Sequence, residues 1–574
     1  MKNIIFRLKE YKYMTFMVIA FLFIQTGADL LLPTYLALII DKGVVQGDLQ
    51  YIFNNGMIML GIAALGGIGT IISSYYSAKI GLGFSKSLRE DIFQKVSDFS
   101  LQEVDHVGTA SLITRTTNDV IQVQNFLISA LRMFVRAPIM AIGGIILALS
   151  MDPSLSMILA VVVIILIVMI IIITSKTSKL YKKLQEKLDN LNLLLRERLV
   201  GIRVLRAFNR EEDQMSKYNE NNKELTDTAI KINRIMAVMM PGMMLLMNFS
   251  AVAILWFGAW RIESGDLLVG NLLAFIQYAS LILFSFIMMT MLFIMYPRAE
   301  VSGNRINEVL STEPGIVEDK AGVHVEKIES VEFQNVSFGY FKESDPVLKG
   351  INFSIKKGEK VGIIGGTGSG KSTLVNLIPR FYDVSEGSIK INGIDIKNIN
   401  QSSLRSKIGY VPQESFVMSG RAGDNIRFGK ENIEDSELME IFAKVQLKDY
   451  ILKLPEGIKG EIYQRGKNLS GGQKQRFNIG RALAGDPDIY IFDDSFSALD
   501  YKTDALIRKE IQKLVNDSIV MIVAQRVTTI MDAEKIILLD NGQVKGIGTH
   551  KELLQNSEIY REIVSSQLAE EELL

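Results

Sequence analysis

Three short stretches of this sequence carry residue types that can hold phosphate and metal. The first is Gly365-Gly366-Thr367-Gly368-Ser369-Gly370-Lys371-Ser372-Thr373, the pattern GxxxxGK[ST]. It follows the apolar run Lys360–Ile364 and precedes the apolar run LVNLI, the strand-loop-helix context the motif requires. Such glycines let backbone N–H groups wrap phosphates, and a helix N-terminus adds a favourable dipole. Lys371 is expected to reach the β- and γ-phosphates and the Ser372 hydroxyl to ligate Mg²⁺. The second stretch, IFDDSFSALD at 491–500, ends an apolar run in two carboxylates, Asp493 and Asp494. A buried parallel strand delivers an acid to a ligand crevice in this way. Asp493 suits a magnesium holder; Asp494 has no immediate explanation. The third is Leu469-Ser470-Gly471-Gly472-Gln473, where adjacent glycines opening a helix form another anion cradle.

These motifs sit in the second part of a divided chain. At 574 residues the sequence is too long for one core. From about residue 331, short apolar strands alternate with helices: Lys360–Ile364, Ile408–Val411, Ile489–Phe492, Ile519–Val523 and Lys535–Leu539. That pattern predicts an α/β domain with a mainly parallel sheet over 331–574. Residues 297–330 read as a charged linker with Pro297 and Pro314 as breakers. Before it, 1–296 hold six apolar segments of spanning length, near Met14–Ile40, Ile52–Ser77, Phe126–Ser150, Leu155–Thr174, Met236–Trp260 and Leu268–Tyr296.

The loops differ in kind. Residues 41–50, 151–154 and 261–266 are short and carry few basic residues, whereas 78–125 and 175–235 are long and rich in Lys and Arg. The positive-inside rule puts the long loops and both ends of the chain in the cytoplasm of a multi-pass protein of the cell membrane. The long loops read as helices continuing out of the bilayer. The basic start MKNIIFRLKEYKY leads into a first span rather than a cleaved leader.

Global composition excludes several classes. Lys plus Arg and Asp plus Glu both number 63, so nothing points to a nucleic-acid partner. With no Cys there is neither a disulfide framework nor a thiolate metal site. Only three His are present, His106, His324 and His550.

With the motifs in place, the sequence resembles the ATP-binding-cassette (ABC) exporters, as a half-transporter with its membrane domain first. Residues 365–373 match the Walker A motif, 489–494 the Walker B motif and 469–473 the family signature. Gln413 in YVPQ matches the Q-loop, Ser497–Asp500 the D-loop, and Tyr340 in VSFGY resembles the aromatic that stacks on adenine. GTASLITRTTNDV at 108–120 and GIRVLRAF at 201–208 resemble cytoplasmic loops that touch the nucleotide domains. The resemblance implies a six-helix all-α transmembrane domain followed by an α/β P-loop ATPase domain. It also implies ATP and Mg²⁺, with the metal held through Ser372, Gln413 and Asp493. ATP would be sandwiched between the Walker residues 365–373 of one subunit and the partner's signature; Ser470, Gly471, Gly472 and Gln473 would serve the partner's ATP.

Two positions depart from the family. A Glu normally follows the Walker B Asp and polarises the attacking water; here it is Asp494. One methylene fewer withdraws the carboxylate by about 1.5 Å, while general-base action needs heavy-atom reach of about 2.6–3.2 Å. The family also carries a switch His where IVAQRVTTI places Gln525, and Gln cannot share a titratable proton. More mildly, Gln464 stands where exporters usually carry Glu. A slow but ordinary site is the bland alternative. The sharper expectation is a degenerate site in a heterodimer, whose partner half-transporter supplies the Walker B Glu and switch His.

Cargo is less legible. Asp29 lies mid-span in the first helix, and could meet a cationic substrate, couple to protons, pair with a nearby Arg or face a wet cavity. Arg132 and Arg136 read as snorkelling from the third span. The Met-rich runs at 236–247 and 288–295 suit an adaptable cavity for apolar or amphiphilic, multidrug-like compounds. An ATP-gated regulator or channel, or a lipid or peptide exporter, would share this fold. No peptidase-like region precedes the first span, which argues against peptide processing.

Overall fold

The computed structural model describes residues 7–316, 322–340 and 345–567. Parts of the basic N-terminal stretch and of the linker lie outside the described residues. These described residues form two compact units, one within 1–97 and 110–312, the other within 98–109 and 313–574.

The first unit is helical. Its main elements are α1 (Lys12–Leu38), α2 (Leu49–Ser97), α3 (Val120–Met151), α4 (Pro153–Val200), α5 (Glu211–Ala237), α6 (Met239–Glu263) and α7 (Val269–Ser311). Among the described residues, six helical segments are long and apolar enough to cross a membrane. Large side chains such as Ile164, Ile171 and Phe249 point outward and are mostly exposed, which suits a bilayer rather than water. The long basic loops are helical: α2 and α4 run without a break far past any hydrophobic thickness, at 49 and 48 residues.

Local chemistry explains several joins. Asp152, 2% exposed, caps α4 by accepting from the backbone N–H groups of Ser154 (2.8 Å) and Leu155 (3.0 Å), with Pro153 in the first turn. Its other oxygen accepts from Arg261 Nε at 2.7 Å, tying the α4 start to the end of α6. Gly69 lets α2 approach α1 closely, since a Cβ there would lie 3.0 Å from the Phe21 carbonyl oxygen. Tyr278 of α7 donates to the Leu30 carbonyl at 2.7 Å, in the turn before Pro33 of α1. Pro297, expected as a breaker, lies inside α7, which continues to Ser311. A proline in a long helix costs one N–H bond and is retained where neighbouring helices hold the segment; Ser302 and Ala299 just beyond it are buried.

The second unit carries two main sheets. One is four-stranded with order β2-β1-β4-β5, built from β1 (Ser330–Phe338), β2 (Leu348–Lys356), β4 (Glu386–Ile391) and β5 (Ile394–Asp395), all antiparallel. The other is six-stranded with order β12-β11-β3-β10-β9-β6. Its members are β3 (Lys360–Ile364), β6 (Ile408–Val411), β9 (Ile489–Asp493), β10 (Ile519–Val523), β11 (Lys535–Asp540) and β12 (Gln543–Gly548). Only β12 pairs antiparallel. A two-stranded ladder, β7 (Gly420–Arg421) with β8 (Glu461–Ile462), completes the set. β3, β9 and β10 are buried at every position, as strands covered on both faces must be.

Candidate functional site

The parallel register gathers the motifs. β3, β10 and β9 are adjacent, and Val523 of β10 stands opposite Ile363 on one side and Asp493 on the other. β6 flanks β9, with Val411 opposite Phe492. The C-terminal ends of four neighbouring strands therefore deliver residues 365–373, Gln525, Asp493–Asp494 and Gln413 to one edge, where open α/β sheets bind ligands. A cleft of about 270 Å³ lies there, lined among others by Lys371, Ser372, Gln413, Asp493, Asp494 and Gln525.

The loop after β3 is shaped for close approach. Gly368 and Gly370 have φ of +80° and +98°, and a Cβ at Gly365 would lie 2.0 Å from the Leu539 carbonyl oxygen. The loop feeds α8 (Lys371–Asn376), whose Thr373 is buried. Ser369 Oγ is buried with no hydrogen-bond partner. Lys371 Nζ donates to the carbonyls of Gly365 (3.0 Å) and Gly366 (2.8 Å). Burial lowers the Lys371 ammonium from its ordinary value against the pull of Asp494 and Asp493.

Ser372 Oγ donates to Asp493 Oδ1 at 3.0 Å, joining the two proposed magnesium positions. Among the described residues no cluster of three His, Asp or Glu would hold a metal by itself. A hydroxyl and one carboxylate completed by phosphate and water oxygens is the arrangement Mg²⁺ favours. A backbone cradle, a lysine and a hard-oxygen pair thus fit a magnesium nucleoside triphosphate. Burial raises the carboxyl of Asp493 and also that of Asp494.

Asp494 has φ of 46°, a left-handed conformation that Asp tolerates better than most side chains. Its Oδ2 accepts from Gln525 Nε2 at 2.9 Å. The two departures from the family pattern are therefore hydrogen-bonded to each other. Gln525 is in turn held from the C-terminal region: Gln567 Nε2 donates to the Gln525 carbonyl (2.8 Å), and Gln567 Oε1 accepts from Val527 N (2.9 Å).

Ser470 caps α9 (Gly471–Ala484) with a capping box in which the Gln473 side chain accepts from Ser470 N at 2.8 Å. Ser470, Gly471, Gly472 and Gln473 do not line the cleft of their own chain. Gly472 packs against the D-loop, where a Cβ would lie 3.0 Å from the Ala498 carbonyl oxygen. Tyr340 does not line the cleft either; its hydroxyl meets Thr373 Oγ1 at 3.0 Å and its ring stands edge-on to Tyr382.

Sequence reasoning missed Gln475, which bridges Asp494 O and Ala498 N, as well as Gln567 and Tyr382. It also missed that the short helix Leu101–Val107 joins this unit: Asp105 accepts from Tyr382 at 3.1 Å, and Gln102 donates to the Tyr340 carbonyl at 3.3 Å. A polar seven-residue helix carries no periodic signal that names its neighbour. In the membrane unit, Asp29 accepts from Arg136 at 2.9 Å.

Comparison with known proteins agrees with this geometry. The ABC transporter transmembrane region family matches residues 15–286, and the ABC transporter family matches residues 348–497. The ABC transporter ATP-binding protein YfiB of Bacillus subtilis is 37% identical over 565 residues, 98% of each chain. YgaD of the same organism, whose name describes multidrug export, is 28% identical over 575 residues, 99% of each chain. The structure of a bacterial Atm1-family ABC exporter with ATP bound superimposes with a TM-score of 0.80 at 24% identity, covering 97% of this chain and 99% of that one. The chain belongs to the ABC transporters: it is a multi-pass membrane half-transporter of the exporter fold, with fused transmembrane and ATP-binding domains.

Proposed function

We propose that this chain is the slow-site half of a heterodimeric, ATP-driven exporter of the cell membrane, moving apolar or amphiphilic compounds outward. The observation that carries the proposal is the Asp494–Gln525 hydrogen bond. In this arrangement the short carboxylate at the base position is engaged by an amide at the switch position. An amide neither takes up nor releases a proton near neutral pH. Bound MgATP supplies the phosphoanhydride whose hydrolysis drives transport. Gly365, Gly366, Thr367, Gly368, Ser369, Gly370 and Thr373 cradle its phosphates, and Lys371 neutralises them. Ser372, Gln413 and Asp493 would hold the metal, and Tyr340, outside the cleft but bonded to Thr373, would flank the base. Asp494 is left too short and too engaged to orient water well, and a misplacement near 1 Å costs on the order of 100-fold.

The capping box at Ser470–Gln473 is intact, so this chain's signature can serve a partner's Walker residues. A partner with Glu and His at the two departed positions then hydrolyses, while this site holds ATP as a hinge. The basic helices after the first and second pairs of spans, and the ATP-binding domain, lie on the cytoplasmic side.

The test is ATP turnover of the complex with Asp494→Glu and Gln525→His together. Turnover should rise, because a second site becomes competent. Unchanged turnover would show that these two residues do not limit the site. An ATP-gated regulator would move ahead only if no competent partner exists.

A further inference from the structure

A cavity of about 300 Å³ opens between α1, α3 and α7 of the membrane unit. Its apolar wall includes Leu22, Phe284 and Met288; its polar groups include Gln25, Arg132 and Arg136. The two arginines are four residues apart on α3 and so share one helical face.

The hydrogen-bond inventory of this cavity is one-sided. Arg136 gives one N–H to Asp29 at 2.9 Å, but its Nε is buried with no partner. The exposed Arg132 side chain makes no hydrogen bond or ion pair among the described residues, and neither does the side chain of Gln25, which is 5% exposed. The cavity lining therefore carries two guanidinium groups and no carboxylate, and Asp29 beside it meets Arg136 alone. An unanswered cation within a membrane span is costly and marks a functional position. A planar guanidinium fork matches the oxygens of carboxylate, sulfonate or phosphate. Asp29 is already engaged by Arg136, which leaves it poorly placed to attract a cationic cargo.

We propose that this cavity is a headgroup site for an anionic amphiphile. Arg132 and the free side of Arg136 bind the oxyanion, the Gln25 amide donates beside them, and the apolar wall takes the adjoining hydrocarbon. This rests on the exporter reading above and deepens it by naming the charge of the cargo. The anion can be a membrane lipid headgroup or a free organic anion, since both present the same oxygens.

The test uses the full-length complex in phosphatidylcholine nanodiscs without nucleotide. Binding of radiolabelled dodecanoate is compared with that of dodecyltrimethylammonium, both below micellar concentration. Dodecanoate should bind saturably and the cation should not. Arg132→Gln should weaken dodecanoate at least about tenfold, as loss of a charge-assisted hydrogen bond implies, and Arg132→Lys should restore much of it. Asp29→Asn should tighten dodecanoate binding, because it removes the competing carboxylate. Unchanged binding in Arg132→Gln would overturn the proposal, as would a cation bound by the wild type and lost in Asp29→Asn. Displacement of dodecanoate by added phosphatidylglycerol would assign the site to a lipid headgroup. Binding that persists against phosphatidylglycerol but still needs Arg132 would assign it to a free anion. Because binding is read without nucleotide, its failure leaves the asymmetric-site reading standing, and failure of the turnover test leaves the cavity untouched.

Discussion

Asp494 must carry its charge where burial disfavours charge. Its carboxyl is raised because desolvation outweighs the attraction of Lys371, Arg526 and the Gln525 amide. The folded state therefore holds the charged form at a cost that is present above the raised value and vanishes as pH falls to the ordinary carboxylate range. Asp494→Asn keeps an acceptor for Gln525 and suits the left-handed backbone. In nucleotide-free protein it should raise Tm by roughly 1–4 °C near neutral pH, and the gain should shrink as the pH is lowered. A thermal melt series over pH checks this; a gain that grows toward acid would mean Asp494 is stabilised as the anion. The mutual bond between Asp494 and Gln525 was not legible in the sequence. Each departure could be read by resemblance, but only the register of β9 beside β10 brings the side chains within reach.

At the scale of elements, two joins invite direct tests. Asp152 caps α4 and holds Arg261 while almost fully buried. Asp152→Ala leaves Arg261 Nε and two backbone donors without their acceptor; with the guanidinium itself 36% exposed, losing the cap and the charge-assisted bond costs about 1–3 kcal/mol. The variant should unfold at clearly lower temperature, whereas Asp266→Ala, on the exposed side of the same arginine, should change little. A melt of both variants separates them. The second join is Gln567, which bonds both Gln525 and Val527 just after β10. Gln567→Ala removes two hydrogen bonds worth about 1 kcal/mol each. Amide exchange of residues 525–530 should quicken while that of β10 itself stays slow. Exchange unchanged at 525–530 would mean the loop is held by its own buried residues, Val527 and Ile530.

The parallel strands announced themselves because burial on both faces forces unbroken apolar runs, as in Ile489–Phe492 and Ile519–Val523. The antiparallel β1-β2-β4-β5 sheet did not, since its strands mix buried and exposed positions and its register shifts repeatedly. The six spans were plain from length and apolarity. Pro297 misled because a breaker signal is local, whereas the packing of α7 that overrides it is not.

In the whole molecule, the two nucleotide sites of the proposed complex should do unequal work. Lys371→Ala should weaken nucleotide binding at this chain's site and leave part of the hydrolysis. Ser470→Ala should cost more turnover, because it strips the signature from the partner's faster site. Equal losses in the two variants, read as ATP turnover of the complex, would make the sites equivalent.

Unequal nucleotide sites require this chain to work beside a different chain. Mass spectrometry of the intact complex, extracted gently from native membranes through a tag on this chain, tests it most directly. The complex should hold one copy of this chain with one of a similar-sized ABC half-transporter carrying Glu after its Walker B Asp and His at its switch position. Two copies of this chain and no other half-transporter would contradict it.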